Sequence, residues 1–173
     1  MNRRQFMSQS SVAAVGYLLT PSILLAQSEV KKAAKPPQIS ADLVREFVVA
    51  GHGDLDKVKE FLGQQPNLLF ACWDWGGGDF ETALEGAGHM GRADIAEYLI
   101  AQGARPNVFV MSMLGNTDLV KAQIEKYPEM LRAKGPHGLT LLHHAEKGGK
   151  AGEELAAYFK KKGLTDKSLA MYS

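Results

Sequence analysis

Apolar positions recur at helical spacing behind four glycines. The clearest instance is Gly53-Asp-Leu-Asp-Lys-Val-Lys-Glu-Phe-Leu62, which places Val58, Phe61 and Leu62 on one face. Gly91-Arg-Ala-Asp-Ile-Ala-Glu-Tyr-Leu-Ile100 does the same with Ile95, Tyr98 and Leu99. Gly115-Asn-Thr-Asp-Leu-Val-Lys-Ala-Gln-Ile124 is a third copy, and Gly149 to Phe159 is a looser fourth with one extra residue. A glycine at a helix end adopts the left-handed conformation without a Cβ penalty, so each glycine closes one helix and lets the next begin at once. The pattern predicts helices at 41–51, 54–63, 81–89, 92–102, 107–114, 117–126, 140–147 and 151–162, with Ser40 as the first N-cap. Residues 127–139, with Pro128 and Gly135-Pro136-His137-Gly138, read as a loop.

Two of the paired helices carry a further signature. Thr82-Ala-Leu-Glu-Gly-Ala87 precedes Gly91 and Thr140-Leu-Leu-His-His-Ala145 precedes Gly149, with the threonine nine residues before the glycine in both. Each threonine is placed to cap its helix through the hydroxyl. These phrases resemble the Thr-Pro-Leu-His-x-Ala phrase of ankyrin repeats, with Ala or Leu in place of Pro. Gly103-Ala104-Arg105-Pro106-Asn107 resembles the Gly-Ala-Asp-x-Asn connection of the same family. The resemblance covers residues 41–163. It implies an all-α, ankyrin-like repeat solenoid of about four helix-turn-helix repeats, and for His143 a structural hydrogen-bonding role. The glycines are spaced 38, 24 and 34 apart, against a family period of about 33. The first connection is therefore enlarged, and the second is too short for a projecting finger.

The N-terminus reads differently. Residues 1–28 combine Arg3-Arg4, then Phe6, with an apolar stretch from Val12 to Ala26 interrupted by Pro21. That stretch has 15 residues, and spanning a bilayer takes about 20. It reads as the apolar core of an export signal rather than an anchor, with no stable membrane span expected after signal removal. Arg3, Arg4 and Phe6 resemble the twin-arginine motif, with Met7 where Leu is usual. Small residues allow cleavage after Ala26 or Ser28. The resemblance implies a chain that folds before export to the periplasm or beyond. Residues 29–40, with three lysines and Pro36-Pro37, read as a flexible tether, and residues 164–173 as a C-terminal tail.

Charge and chemistry narrow the function. The net charge is +1 over 173 residues, so there is no basic excess for nucleic acid. Without the two signal arginines, 18 basic face 19 acidic residues, a net charge of −1. Cys72 is the single cysteine, which excludes an intramolecular disulfide, and it reads as a partly buried apolar position. The most unusual stretch is Ala71-Cys-Trp-Asp-Trp-Gly-Gly-Gly-Asp-Phe-Glu81, in the enlarged connection where an ankyrin repeat projects its finger. Both tryptophans lie there. Trp73, Asp74, Trp75, Asp79 and Phe80, with His137 in the last finger, form the candidate partner-binding residues, because aromatic side chains dominate interface hot spots. Its glycines lack the Lys-Ser/Thr pair of a phosphate loop.

No two of His52, His89, His137, His143 and His144 have the i, i+4 spacing of a helical zinc site, so no metal ligands, no cofactor and no catalytic residues are expected. Asp74, Asp79, Glu81 and Glu85 read as a solvated acidic finger. The expectation is a non-enzymatic module that binds an unidentified protein partner through finger loops and a concave face. The alternative is a small metal-dependent or acid/base hydrolase using the acidic loop 74–85 and the histidines.

Overall fold

The computed structural model describes residues 35–172. The export-signal residues Arg3, Arg4 and Phe6 lie outside them. The described residues are mostly helical, with eight α-helices and one small antiparallel hairpin. In chain order these are α1 (Ala41–Gly51), α2 (Leu55–Gln64), β1 (Cys72–Asp74), β2 (Phe80–Thr82), α3 (Ala83–Met90), α4 (Ala93–Ala101), α5 (Val108–Met113), α6 (Thr117–Lys126), α7 (Leu141–Lys147) and α8 (Glu153–Lys161). Short 3-10 turns at Pro66–Phe70, Pro128–Arg132 and Pro136–Gly138 give local structure to segments that read as connections.

The helix starts follow capping chemistry. Ser40, Asp54, Thr82, Asn107 and Thr140 each accept a backbone N–H of the first turn. Thr82 and Glu85 form a reciprocal capping box. Glu85 also accepts from Asn107 Nδ2 at 2.7 Å, so the cap of α3 is tied to the cap of α5.

Helices of one hairpin pack together (α1 on α2, α3 on α4, α5 on α6, α7 on α8), and the odd-numbered helices pack in chain order, α1 on α3, α3 on α5, α5 on α7. Two apolar clusters fill the spaces between them. Phe47, Val58, Leu68, Leu84, Ile95 and Leu99 anchor the first, and Val120, Leu141, Leu142, Leu155 and Phe159 the second. Phe47 meets Phe61 edge to face at 6.1 Å within the first cluster.

Glycines set the spacing as well as the turns. Gly91 and Gly115 both have positive φ, 76° and 73°. A Cβ on Gly91 would also overlap the carbonyl of Lys147, and one on Gly115 the carbonyl of Ala151. Gly115 therefore touches the next hairpin backbone to backbone, and Gly91 touches the end of α7 beyond it.

The short connection between α4 and α5 has a larger effect. Helix α5 has only 6 residues, and no strand lies between α4 and α5. Helix α7 consequently reaches past α5 and packs on α3 directly. This brings the last finger, residues 135–139, against the first.

The C-terminal tail is part of the fold. Leu139 and Ser168 form an antiparallel bridge, Thr140 Oγ1 donates to the Asp166 carbonyl at 2.7 Å, and Leu169 N–H donates to the Gly138 carbonyl at 2.8 Å. Tyr172 then crosses to the first finger, where its hydroxyl donates to the Gly76 carbonyl. Among the described residues, no helix is long and apolar enough to cross a membrane.

Candidate functional site

The enlarged first connection folds as a hairpin. Its register pairs Cys72 with Thr82, Trp73 with Glu81 and Asp74 with Phe80. The turn between the strands requires its glycines, since Gly76, Gly77 and Gly78 have φ of 131°, 65° and 92°. Asp74 Oδ1 holds the turn by accepting from the N–H groups of Gly76 and Gly78, at 2.9 and 3.1 Å.

Strand alternation then sorts the side chains. Phe80 points outward and is 59% exposed, whereas its neighbour Glu81 is fully buried at 0%. Directly paired residues share a sheet face, so half-buried Trp73 lies on the inward face with Glu81. Asp79 is 7% exposed. The acidic finger is thus solvated only in part: Asp74 faces water, but Asp79 and Glu81 are enclosed.

Glu81 enters a knot of polar and aromatic groups. Its Oε2 accepts from Trp75 Nε1–H at 2.7 Å. Its Oε1 lies 2.8 Å from His89 Nε2, and Oε2 lies 3.3 Å from His52 Nε2 and 3.6 Å from His137 Nε2. The Nε2 atoms of His52 and His89 are 3.1 Å apart. His52 ends α1, His89 sits in the last turn of α3, and His137 belongs to the last finger. The Trp75 ring stands edge-on to His52, with centroids 6.2 Å apart, and tilted against His137 at 5.9 Å.

His137 is held firmly. Asp79 accepts from its backbone N–H at 2.8 Å and from its Nδ1 at 2.7 Å. Its φ of 59° is left-handed, the one such non-glycine among the described residues. That conformation costs energy for a residue with a Cβ, and the two bonds to Asp79 hold it in place.

The electrostatics follow the burial and the partners. Burial opposes ionisation of Glu81, but the His52 and His89 imidazoles against its oxygens together outweigh it and hold the carboxyl down at about 2. The Glu81 carboxylate beside its Nε2 raises His52 against an opposing effect of burial. His143 donates from Nε2 to the His89 carbonyl at 3.0 Å, steadying the α3 end, and its own burial lowers its pKa. Cys72 differs from its expected partial burial: it is exposed, on the outer face of β1. Local desolvation and the nearby Glu85 and Glu81 raise its pKa, so it stays a thiol and a poor nucleophile.

The six candidate partner-binding residues divide. Asp74 and Phe80 face outward, Trp73 lies half-buried on the inward face, and Trp75, Asp79 and His137 are drawn into the knot. His52, Glu81 and His89 complete it; they entered the sequence reading only through the alternative that paired the acidic loop 74–85 with the histidines. One signal does exist. His52 and His89 both stand at the ends of odd-numbered helices, just before a repeat glycine, and stacking aligns such positions. No family model, no curated protein and no solved structure matches the chain.

Proposed function

We propose that this chain is an exported ankyrin-type repeat protein that binds a partner protein along its finger edge, as a recognition module rather than an enzyme. The observation that supports this reading best is the stacking order. Helices α1, α3, α5 and α7, each capped by a Ser, Thr or Asn side chain and each followed by a glycine turn, pack in chain order, and a finger precedes α3 and another α7. Repeat arrays of this kind present extended surfaces for macromolecular partners. Export through a twin-arginine route rests on Arg3, Arg4 and Phe6 and sets the periplasm as the place of action.

The contact face assigned here is narrower than the six-residue set. It centres on outward-facing Phe80 and Asp74, with exposed Phe70 at the foot of the same finger, its ring covered on one side by Arg105 at 5.4 Å. The buried knot beneath fixes the hairpin in shape, so little loop entropy is lost on binding. Affinity capture from a periplasmic extract of cells making the full-length chain tests the proposal. The wild-type chain is expected in that fraction with a stoichiometric protein, and the Phe70→Ser/Phe80→Ser variant should lose that protein while keeping its helical circular dichroism. Capture undiminished in the double variant sinks the assignment.

A further inference from the structure

The inward-facing atoms of the knot are short of protons. His52 Nδ1 lies 3.0 Å from the Val48 carbonyl, which can only accept, so Nδ1 carries a hydrogen and the ring, whenever neutral, turns a lone pair on Nε2 inward. His137 is arranged alike, with Nδ1 on the Asp79 carboxylate and Nε2 facing in. Glu81 adds two acceptor oxygens. The donors against them are Trp75 Nε1–H, already engaged, and one hydrogen on His89 Nε2. Although His89 Nε2 is only 2.8 Å away, Glu81 Oε1 receives no hydrogen bond of acceptable angle, and it is enclosed by protein. Enclosed lone pairs without donors are costly unless a cation joins them.

The geometry points to a transition-metal site in which Nε2 of His52, His89 and His137 and the carboxylate of Glu81 ligate one divalent ion. Donor atoms about 2.1 Å from a common ion stand about 3.0 Å apart at right angles and about 3.4 Å apart at tetrahedral angles. The separations here are 2.8, 3.1, 3.3 and 3.6 Å. No two of the four donor atoms are more than 4.8 Å apart, and small rotations of the half-buried His52 ring and the exposed His137 ring close that difference. Three imidazoles and one carboxylate suit zinc and its neighbours in the first transition row rather than calcium or magnesium, which take oxygen donors.

The surroundings of the four residues fit the same role. Metal-bound histidines characteristically donate their other ring N–H to a carbonyl or carboxylate, as His52 does to Val48 and His137 to Asp79. Helix α3 carries Gly86 in its interior, an unfavourable helix residue. A Cβ there would come within 2.9 Å of the His52 ring, so the glycine makes room for that ligand. The bound ion would join α1, β2, α3 and the last finger at one point. This site does not depend on the protein-recognition reading, and either stands if the other fails.

The test uses the full mature chain, stripped with a chelator and titrated with zinc by calorimetry and with cobalt(II) by absorption and tryptophan fluorescence. One ion per chain is expected, with a Kd at or below about 1 µM, visible cobalt bands of nitrogen–oxygen ligation, and quenching of Trp75, whose indole touches the ligand Glu81. Two ligand variants decide the residues. His137→Asn removes the ring while keeping a residue type that tolerates the left-handed backbone, and Glu81→Gln keeps the shape; each should weaken binding at least about 100-fold, and Asp79→Asn by about 10–100-fold. Circular dichroism establishes folding of each, and His137→Asn, at the surface, remains decisive if Glu81→Gln does not fold. No uptake by the wild type, or undiminished affinity in His137→Asn, would mean that protons alone hold the knot and overturns the site.

Discussion

The fully buried imidazole of His144 should make stability fall steeply in mild acid. His144 is 0% exposed in the second apolar cluster, beside the Phe109 ring at 5.1 Å. Its Nδ1–H donates to the Thr140 carbonyl at 2.8 Å, and its Nε2 has no partner. A proton added at Nε2 would be buried without an acceptor, and this desolvation lowers the pKa from 6.5 to about 4. The unfolded chain takes up a proton as pH drops through 6.5, whereas the folded chain does so only near 4. Stability from this group is therefore complete above about pH 6.5 and is lost as pH falls toward 4. At 1.36 kcal/mol per pKa unit the loss amounts to about 3 kcal/mol. The assay is urea unfolding of the wild type and of His144→Leu at half-unit steps from pH 8 to 4. The variant has no titrating group there, so subtracting its profile removes the contributions of the other histidines. The wild type should lose ground to the variant by about 1.4 kcal/mol per pH unit between 6.5 and 4. A difference that stays constant with pH refutes the reasoning.

Two other predictions concern the stack and its tail. Gly115→Ala combines a left-handed backbone with an overlap against the Ala151 carbonyl and should destabilise by about 2–5 kcal/mol in urea. Gly103→Ala shares the positive φ, 101°, but meets nothing within 4 Å, so it should cost only the backbone penalty of about 1–2 kcal/mol; equal losses would remove the argument for backbone contact between layers. Deleting residues 165–173 takes away the bridge to Leu139 and the Tyr172 contact with the first finger. Hydrogen exchange should then accelerate at residues 134–140 and 76–78 and stay unchanged in α2, and uniform acceleration or none would show that the tail does not brace the fingers.

The helices were legible because their signals are local. A glycine, a polar lead and apolar residues at helical spacing fall within ten positions, and Thr82 and Thr140 cap as their places predict. The hairpin was less legible. Trp-Asp-Trp-Gly-Gly-Gly-Asp reads as a turn, and two three-residue strands leave too short an alternation to register as sheet, so the inward aim of Glu81 was hidden. The knot was hidden for a different reason. His52 and His89 meet across 37 positions, and Asp79 and His137 across 58. Ligand-spacing rules look along one helix, whereas these side chains come from four elements. The short interval from Gly91 to Gly115 held the missing information, because removing one finger makes its two neighbours adjacent. That inference needs the packing of α7 on α3, which periodicity alone does not supply.

The contact between the two fingers also bears on how the chain folds. Layers of a linear repeat array interact only with their immediate neighbours, so their ends can fray or nucleate independently. Here Asp79 and His137 bridge over an intervening layer, and the tail returns from the last layer to Gly76. These closures form only once the layers between them are in place. They make the helix hairpins depend on one another, so that loss of an end hairpin should also release the centre. Unfolding should then be a single cooperative event, with sub-global opening suppressed across the span from α1 to the tail.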